Sequence, residues 1–231
     1  MANWPKNRMG HFPTLPFSLF LLLDFLGVFA GALSGGLEAM RNKRYHYDFI
    51  GVVGLAIVSA LGGGITRDIL LQKGPPLALR DARYLLTALI AASIALAFRG
   101  HIGPRMERAI VWIDAAEIGF FAVAGSTRAI DSGLMVLPAL MLGILTAVGG
   151  GAIRDVLSGR TPQVFESGQL YAVAALLGSA SFLVCNSAGL ARTTSTTIGL
   201  LVGFSVRGMS LLYDVRTQAV REASRRVPSG F

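Results

Sequence analysis

The segment Ser59-Ala60-Leu61-Gly62-Gly63-Gly64-Ile65-Thr66-Arg67-Asp68-Ile69-Leu70 has a counterpart 87 residues later, Thr146-Ala147-Val148-Gly149-Gly150-Gly151-Ala152-Ile153-Arg154-Asp155-Val156-Leu157. Each copy sits in an apolar stretch, joins three glycines to an Arg-Asp pair, and is followed by a turn proline, Pro75 or Pro162. A constant offset over the whole segment marks an internal duplication, and any fold for this chain must accommodate it.

The surroundings of the motif narrow the fold class. Only 15% of the 231 residues are charged, 53% are hydrophobic and 28 are glycine, against roughly 25% charged and about 7% glycine in a soluble domain. The apolar residues lie in seven blocks: Leu15–Leu37, Phe49–Thr66, Ala82–Phe98, Ile110–Thr127, Leu134–Ile153, Leu170–Leu190 and Thr196–Leu212. A helix needs about 20 mostly apolar residues to cross the hydrocarbon, so these predict an all-α membrane protein of seven transmembrane helices. The first block follows Lys6 and Arg8 as a signal peptide would. It is too long for an h-region and carries Asp24, so it reads as a retained helix.

The two copies fall in the second and fifth blocks. Three crossings separate them, so the units run in opposite directions through the bilayer. The organisation read from this is an N-terminal tail (1–14), a three-helix repeat (15–98), an inverted three-helix repeat (110–190), a seventh helix (196–213) and a basic C-terminal tail (214–231). Inverted repeats are characteristic of transport folds, with the path near their interface. Lys and Arg are concentrated on the loops and tail that share a side when the N-terminus is outside, which predicts N-out, C-in in the cell inner membrane. The formal net charge of +8 thus reflects orientation and contact with membrane lipids, and nucleic acid is not an expected partner.

Three consecutive glycines weaken a helix by about 1 kcal/mol each relative to alanine. A backbone opened in the bilayer is tolerated only inside protein or beside a water-filled cavity. Gly62, Gly63, Gly64 and Gly149, Gly150, Gly151 are therefore expected to break or hinge two antiparallel helices around a polar path. Ser59 and Thr146, three residues before each run, are candidate pore-lining hydroxyls. The competing reading is close helix packing, which small residues also permit and which suits Gly27, Gly31, Gly35, Gly199 and Gly203.

Charges inside spans usually pair or face water. Arg67-Asp68 and Arg154-Asp155 either control an ion path or cross-pair between the halves, Arg67 with Asp155 and Arg154 with Asp68. Asp24, Asp114 and Glu117 are intramembrane acids that either attract cations or partner Arg83 or Arg207. A catalytic constellation is not expected: His11, His46 and His101 are scattered, Cys185 is the sole cysteine, and HExxH and P-loop patterns are absent. The chain is thus not read as an enzyme, and no cofactor or metal is expected.

With these features in hand, the doubled Gly-Gly-Gly-x-x-Arg-Asp motif and the three-plus-three-plus-one arrangement resemble the bacterial relatives of the TRIC (trimeric intracellular cation) channels. The resemblance runs from about Leu15 to Leu212. It implies a homotrimer with one hourglass pore inside each subunit, lined by the second and fifth helices bent at the glycine runs. It also implies passage of potassium and sodium. The Lys-Glu-Val signature tied to phosphoinositide binding in animal relatives has no counterpart here, while a lipid between subunits stays open. Some bacterial proteins with this domain are described as small-amino-acid transporters. A secondary transporter for a small solute such as glycine is therefore the alternative, and a structural membrane protein without a path the third reading.

Overall fold

A computed structural model describes residues 19–42, 45–99, 103–166, 170–213 and 215. These form eight helices: α1 (Leu19–Arg41), α2 (Phe49–Leu71), α3 (Leu77–Arg80), α4 (Ala82–Ala97), α5 (Pro104–Asp131), α6 (Val136–Leu157), α7 (Tyr171–Ser187) and α8 (Arg192–Leu212). All except α3, a single turn, correspond to the seven apolar blocks. Five of them, α1, α2, α5, α6 and α8, are long and apolar enough to cross a membrane, while α4 and α7 have 16 and 17 residues. At about 1.5 Å per residue these two reach roughly 25 Å, just short of the hydrocarbon thickness. Most of the two tails, including Lys6, Arg8, His11 and Arg216 to Arg226, lies outside the described residues, as do Lys43, Arg44 and His101.

Local chemistry sets the helix ends. The Asp48 carboxylate accepts from the Gly51 amide at 2.7 Å and caps α2. Gln72 closes it in the left-handed conformation at φ 52°, donating its amide to the Ile69 carbonyl. Proline at N1 starts α5 at Pro104, so Arg105 and Arg108 are helical rather than in the preceding loop. α1 extends past Leu37 to Arg41, bringing Glu38 into the helix, where it pairs with Arg41.

Polarity is inside out. Asp24, Arg67, Asp68, Asp114, Glu117, Arg154, Asp155 and Arg207 are buried, whereas Ile50, Met135, Leu137 and Leu201 are well exposed. In water this arrangement would be unstable, but in lipid it is the expected one.

Four helices form the centre: α1 packs on α2 and α5, α6 packs on α2 and α5, α4 lies against α1 and α2, and α7 and α8 lie together against α5. The core side chains are small, with Ala56, Ala60, Ala88, Ala92, Ala122, Ala147, Ala174 and Ala175 in one cluster. Such residues let helices approach where no apolar-solvent gradient drives them together.

Candidate functional site

Two helices carry the duplicated motif, and they meet at it. A β-carbon placed on Gly63 would stand 2.1 Å from the carbonyl oxygen of Thr146, and one on Gly150 would stand 2.0 Å from that of Ser59. Ser59 thus meets Gly150, while Gly63, four residues further along α2, meets Thr146, four residues back along α6. One helix advances as the other retreats, so α2 and α6 cross antiparallel at the glycines. The same relation extends to the neighbouring helices: the position a β-carbon would take on Gly35 of α1 is 2.6 Å from Ser59 Cβ, and the one on Gly125 of α5 is 2.6 Å from Thr146 Oγ1.

Both helices run without interruption through their glycine triplets. The backbone is not opened at Gly62–Gly64 or at 149–151, which corrects the expectation of broken helices. Close contact overrides the intrinsic weakness of glycine here, because any side chain at Gly63 or Gly150 would hold the helices apart. The carbonyl and amide groups there remain in their helical ladders.

Ser59 and Thr146 are fully buried at this crossing. Thr146 Oγ1 donates to the Leu142 carbonyl at 2.6 Å, the back-bond common for a helical threonine. Ser59 Oγ has no partner among the described residues.

Each motif's Arg-Asp pair lies within the last turns of its helix, and each anchors an ionic cluster. In the first, Arg67 donates to Asp24 through Nη1 at 2.8 Å and Nη2 at 3.1 Å, and to Asp68 through Nε at 2.9 Å. Tyr84 of α4 donates its hydroxyl to Asp24 at 2.7 Å, and the second oxygen of Asp68 accepts from the Leu77 amide at 2.8 Å. The Phe20 ring lies 5.2 Å from the guanidinium carbon, within cation–π range. The cluster joins α1, α2, α3 and α4, and a void with room for about one water borders it.

In the second, Arg154 donates to Asp155 through Nε at 3.1 Å and Nη2 at 3.0 Å. The other oxygen of Asp155 accepts from the Gln163 amide at 3.2 Å. Arg207 of α8 stands 3.6 Å from Asp114 and 5.0 Å over the Tyr171 ring. Glu117, one turn beyond Asp114 on α5, lies against Gly31 of α1: a β-carbon there would be 2.8 Å from Glu117 Oε1. Arg160 bonds Glu38 at 2.7 Å and approaches Asp155 at 3.7 Å, tying the loop after α6 to the end of α1.

The motif arginines therefore bind within their own halves, and cross-pairs of Arg67 with Asp155 or Arg154 with Asp68 do not form. Asp24 pairs with Arg67, and neither Arg83 nor Arg207 reaches it. Arg83 instead pairs with Asp81 at 2.6 Å outside the core. Asp81 caps α4, and the hydrogen bonds from the Arg83 side chain hold its carboxyl below the ordinary aspartate range despite partial burial.

Sequence reasoning missed three participants. Tyr84 and Tyr171 flank the two clusters and are themselves 87 residues apart. Their shared offset was the available signal, hidden because a lone tyrosine at a span's edge reads as an interfacial anchor. Glu38 sat beyond the predicted end of the first span.

Comparison with known proteins agrees with this architecture. The family described as "Glycine transporter" matches residues 21–100 and 111–187. A UPF0126 membrane protein of Deinococcus radiodurans is 38% identical over 207 residues, covering 89% of this chain and 92% of its own. The UPF0126 inner membrane protein YadS of Escherichia coli is 31% identical over 156 residues, covering 68% of this chain and 73% of its own. The TRIC trimeric intracellular cation channel orthologue from Rhodobacter sphaeroides matches with a TM-score of 0.79 at 32% identity, over 86% of this chain and 100% of that one. A prokaryotic TRIC channel crystallised in 0.5 M KCl matches at 0.77 and 29% identity, over 84% of this chain and 96% of that one.

Proposed function

The chain belongs to the prokaryotic TRIC channel family, the family of the UPF0126 membrane proteins, and on that premise we propose that it is a passive channel for monovalent cations. Potassium is the chief permeant ion and sodium a second. The protein acts as a homotrimer in the cell inner membrane, with seven spans per subunit in two inverted three-helix repeats plus α8, the N-terminus outside and the C-terminus cytoplasmic. Lipid fills the grooves between subunits.

The pore of each subunit runs between α2 and α6. What carries this reading is the paired contact of Gly63 with Thr146 and Gly150 with Ser59 in a TRIC fold. A crossing made of backbone alone is a constriction that opens by a small separation of two helices, with Gly62–Gly64 and the triplet at 149–151 as hinges. Ser59 and Thr146 then offer hydroxyls to the ion in place of water. Asp24, Asp114 and Glu117 supply negative potential inside the helix bundle, while Arg67 and Arg154, each held by an acid, do not repel the ion as free charges would.

The second reading is a secondary transporter for glycine or a similar small solute, favoured by the description of the matching family. Recording from purified protein in a planar bilayer separates the two. Discrete unitary currents under a potassium gradient are expected. Saturable glycine uptake into proteoliposomes with no unitary current would replace the channel by the transporter.

A further inference from the structure

The two ionic clusters differ in how completely their polar atoms are used. Around Arg67, the Nε, Nη1 and Nη2 nitrogens all donate, and both oxygens of Asp24 and of Asp68 accept. Around Arg154 the network stays open. Asp114 accepts no hydrogen bond among the described residues and has only Arg207, at 3.6 Å. Nε and Nη1 of Arg207 and Oε2 of Glu117 find no partner among those residues, although Arg207 is 4% and Glu117 1% exposed. A buried polar atom left unpaired costs about 1–3 kcal/mol, more when charged. Glu117 Oε2 is thus a buried acceptor open to a cation, while the unpaired Arg207 nitrogens are donors and leave the guanidinium loosely held beside the two carboxyls.

Charge gives the sign of what is received. The deep part of this cluster holds three carboxyls, Asp114, Glu117 and Asp155, against two guanidiniums, Arg154 and Arg207. Arg41 and Arg160, at the rim, are both paired with Glu38. Four carboxyls thus face four guanidiniums, and Arg207 is the charge that balances Asp114 and Glu117: where it withdraws, one negative charge is uncovered. Asp114 and Glu117 stand three residues apart on α5, so their carboxyls share a face. Among the described residues there is no cluster of three or more acidic, histidine or cysteine ligands of the kind a metal centre needs, and a divalent ion would want six or more oxygens.

We propose that Asp114 and Glu117 form a binding site for one monovalent cation, and that Arg207 is a tethered counter-cation that competes with the ion for it. Arg207 is carried by α8, which lies against α5 and α7 and has no counterpart in the duplicated part of the chain. Its grip on Asp114 is loose, and the Tyr171 ring beneath it offers a seat for the guanidinium when an ion takes its place. The first cluster differs in that Arg67, Asp24 and Asp68 have every side-chain polar atom bonded within the protein. The site deepens the channel reading and rests on it for the ion's role in permeation, while binding itself can be measured without current.

The test is thermal unfolding of the full chain in nanodiscs as potassium replaces N-methyl-D-glucamine at constant ionic strength. Arg207→Gln should lower the potassium concentration for half-maximal stabilisation by about tenfold relative to wild type, and Arg207→Lys, which keeps the charge, should follow wild type. Glu117→Gln should abolish the potassium response alone and in combination with Arg207→Gln. If Arg207→Gln does not fold, wild type against Glu117→Gln decides. Equal potassium responses in those two, an unshifted midpoint in a folded Arg207→Gln, or a response to pH with none to potassium overturns the site. Bilayer recording on the same preparations keeps the two ideas apart. Potassium-dependent stabilisation without unitary current would sink the channel and spare the site, and currents with a flat titration would do the reverse.

Discussion

Gly63 of α2 lies against the carbonyl oxygen of Thr146 in α6 so closely that a β-carbon on it would stand 2.1 Å away, and Gly150 does the same to Ser59 at 2.0 Å. Carbon–oxygen contacts normally stop near about 3.3 Å, so alanine at either position forces the helices apart. Overpacking of this kind costs roughly 1–3 kcal/mol where side chains can yield; here the obstacle is backbone, so the cost falls at or above the top of that range. Gly63→Ala and Gly150→Ala should each lower the thermal midpoint or abolish folding. Gly54→Ala, in the same helix with nothing within 4 Å of the added carbon, should match wild type or exceed it. Equal midpoints for Gly63→Ala and Gly54→Ala, measured by fluorescence-detected size exclusion, would show that the crossing tolerates a gap.

The Arg67–Asp24 pair ties α2 to α1 and is almost fully buried. Removing one partner of a buried ion pair leaves the other uncompensated, at a cost of about 3–5 kcal/mol. Arg67→Ala and Asp24→Ala should therefore destabilise strongly. Tyr84→Phe, which removes one hydrogen bond to the same carboxylate, should cost about 1.5–3 kcal/mol. Arg83→Ala serves as the contrast, because its pair with Asp81 is at the surface, where such pairs contribute about 0–1 kcal/mol. Chemical unfolding in a single detergent would rank the four, and a Tyr84→Phe midpoint equal to wild type would remove Tyr84 from the network.

The helices and the buried charges could be read from the sequence because both follow from solvent. Apolar blocks must span lipid, and a charge inside one must be satisfied internally. Partner choice could not be read. Arg67 binds an acid 43 residues away, and the alternatives Asp24, Asp114 and Asp155 look alike until the helices are placed. The break expected at the glycine triplets fails for the same reason. Their helix propensity predicts a break, whereas their effect in the fold depends on what lies opposite, and opposite each is the backbone of the other copy. Helix ends shifted where a local signal was passed over, as with Pro104 at the start of α5.

Asp81 provides a test in the connection between α3 and α4. Its carboxyl accepts from the Arg83 amide and side chain, and those bonds depress its pKa. A carboxylate with a depressed folded-state value adds stability above its unfolded pKa of about 3.9, and that stability disappears as pH falls through the folded value. Asp81→Asn retains a capping side chain but cannot ionise. The stability difference between wild type and Asp81→Asn should be constant near neutral pH and shrink below about pH 4. Asp81→Ala, which also loses the cap, should cost about 1 kcal/mol more at every pH. A difference independent of pH from neutral to acid, followed by thermal unfolding, would mean that the charge on Asp81 contributes nothing.

Ser59 and Thr146 separate a pore-lining role from a packing role, because the two roles predict different outcomes for the same change. Ser59 Oγ is buried without a partner among the described residues, so in the closed crossing it carries a desolvation cost with no compensating bond. Ser59→Ala removes that cost and adds no volume, and the midpoint should stay level or rise. Thr146→Val keeps the shape and loses only the back-bond to Leu142, which is worth little. If the hydroxyls meet the ion when the crossing opens, both variants should pass less current: roughly twofold less, or about 0.4 kcal/mol on the barrier, with the loss greater in the double variant. Unitary conductance in symmetrical potassium is the measurement. A retained midpoint with reduced conductance would place the hydroxyls on the path, because a polar group that only fills space has no means of lowering current while leaving stability untouched. Unchanged conductance in the double variant would take both residues off the path and leave the α2–α6 crossing as a structural contact.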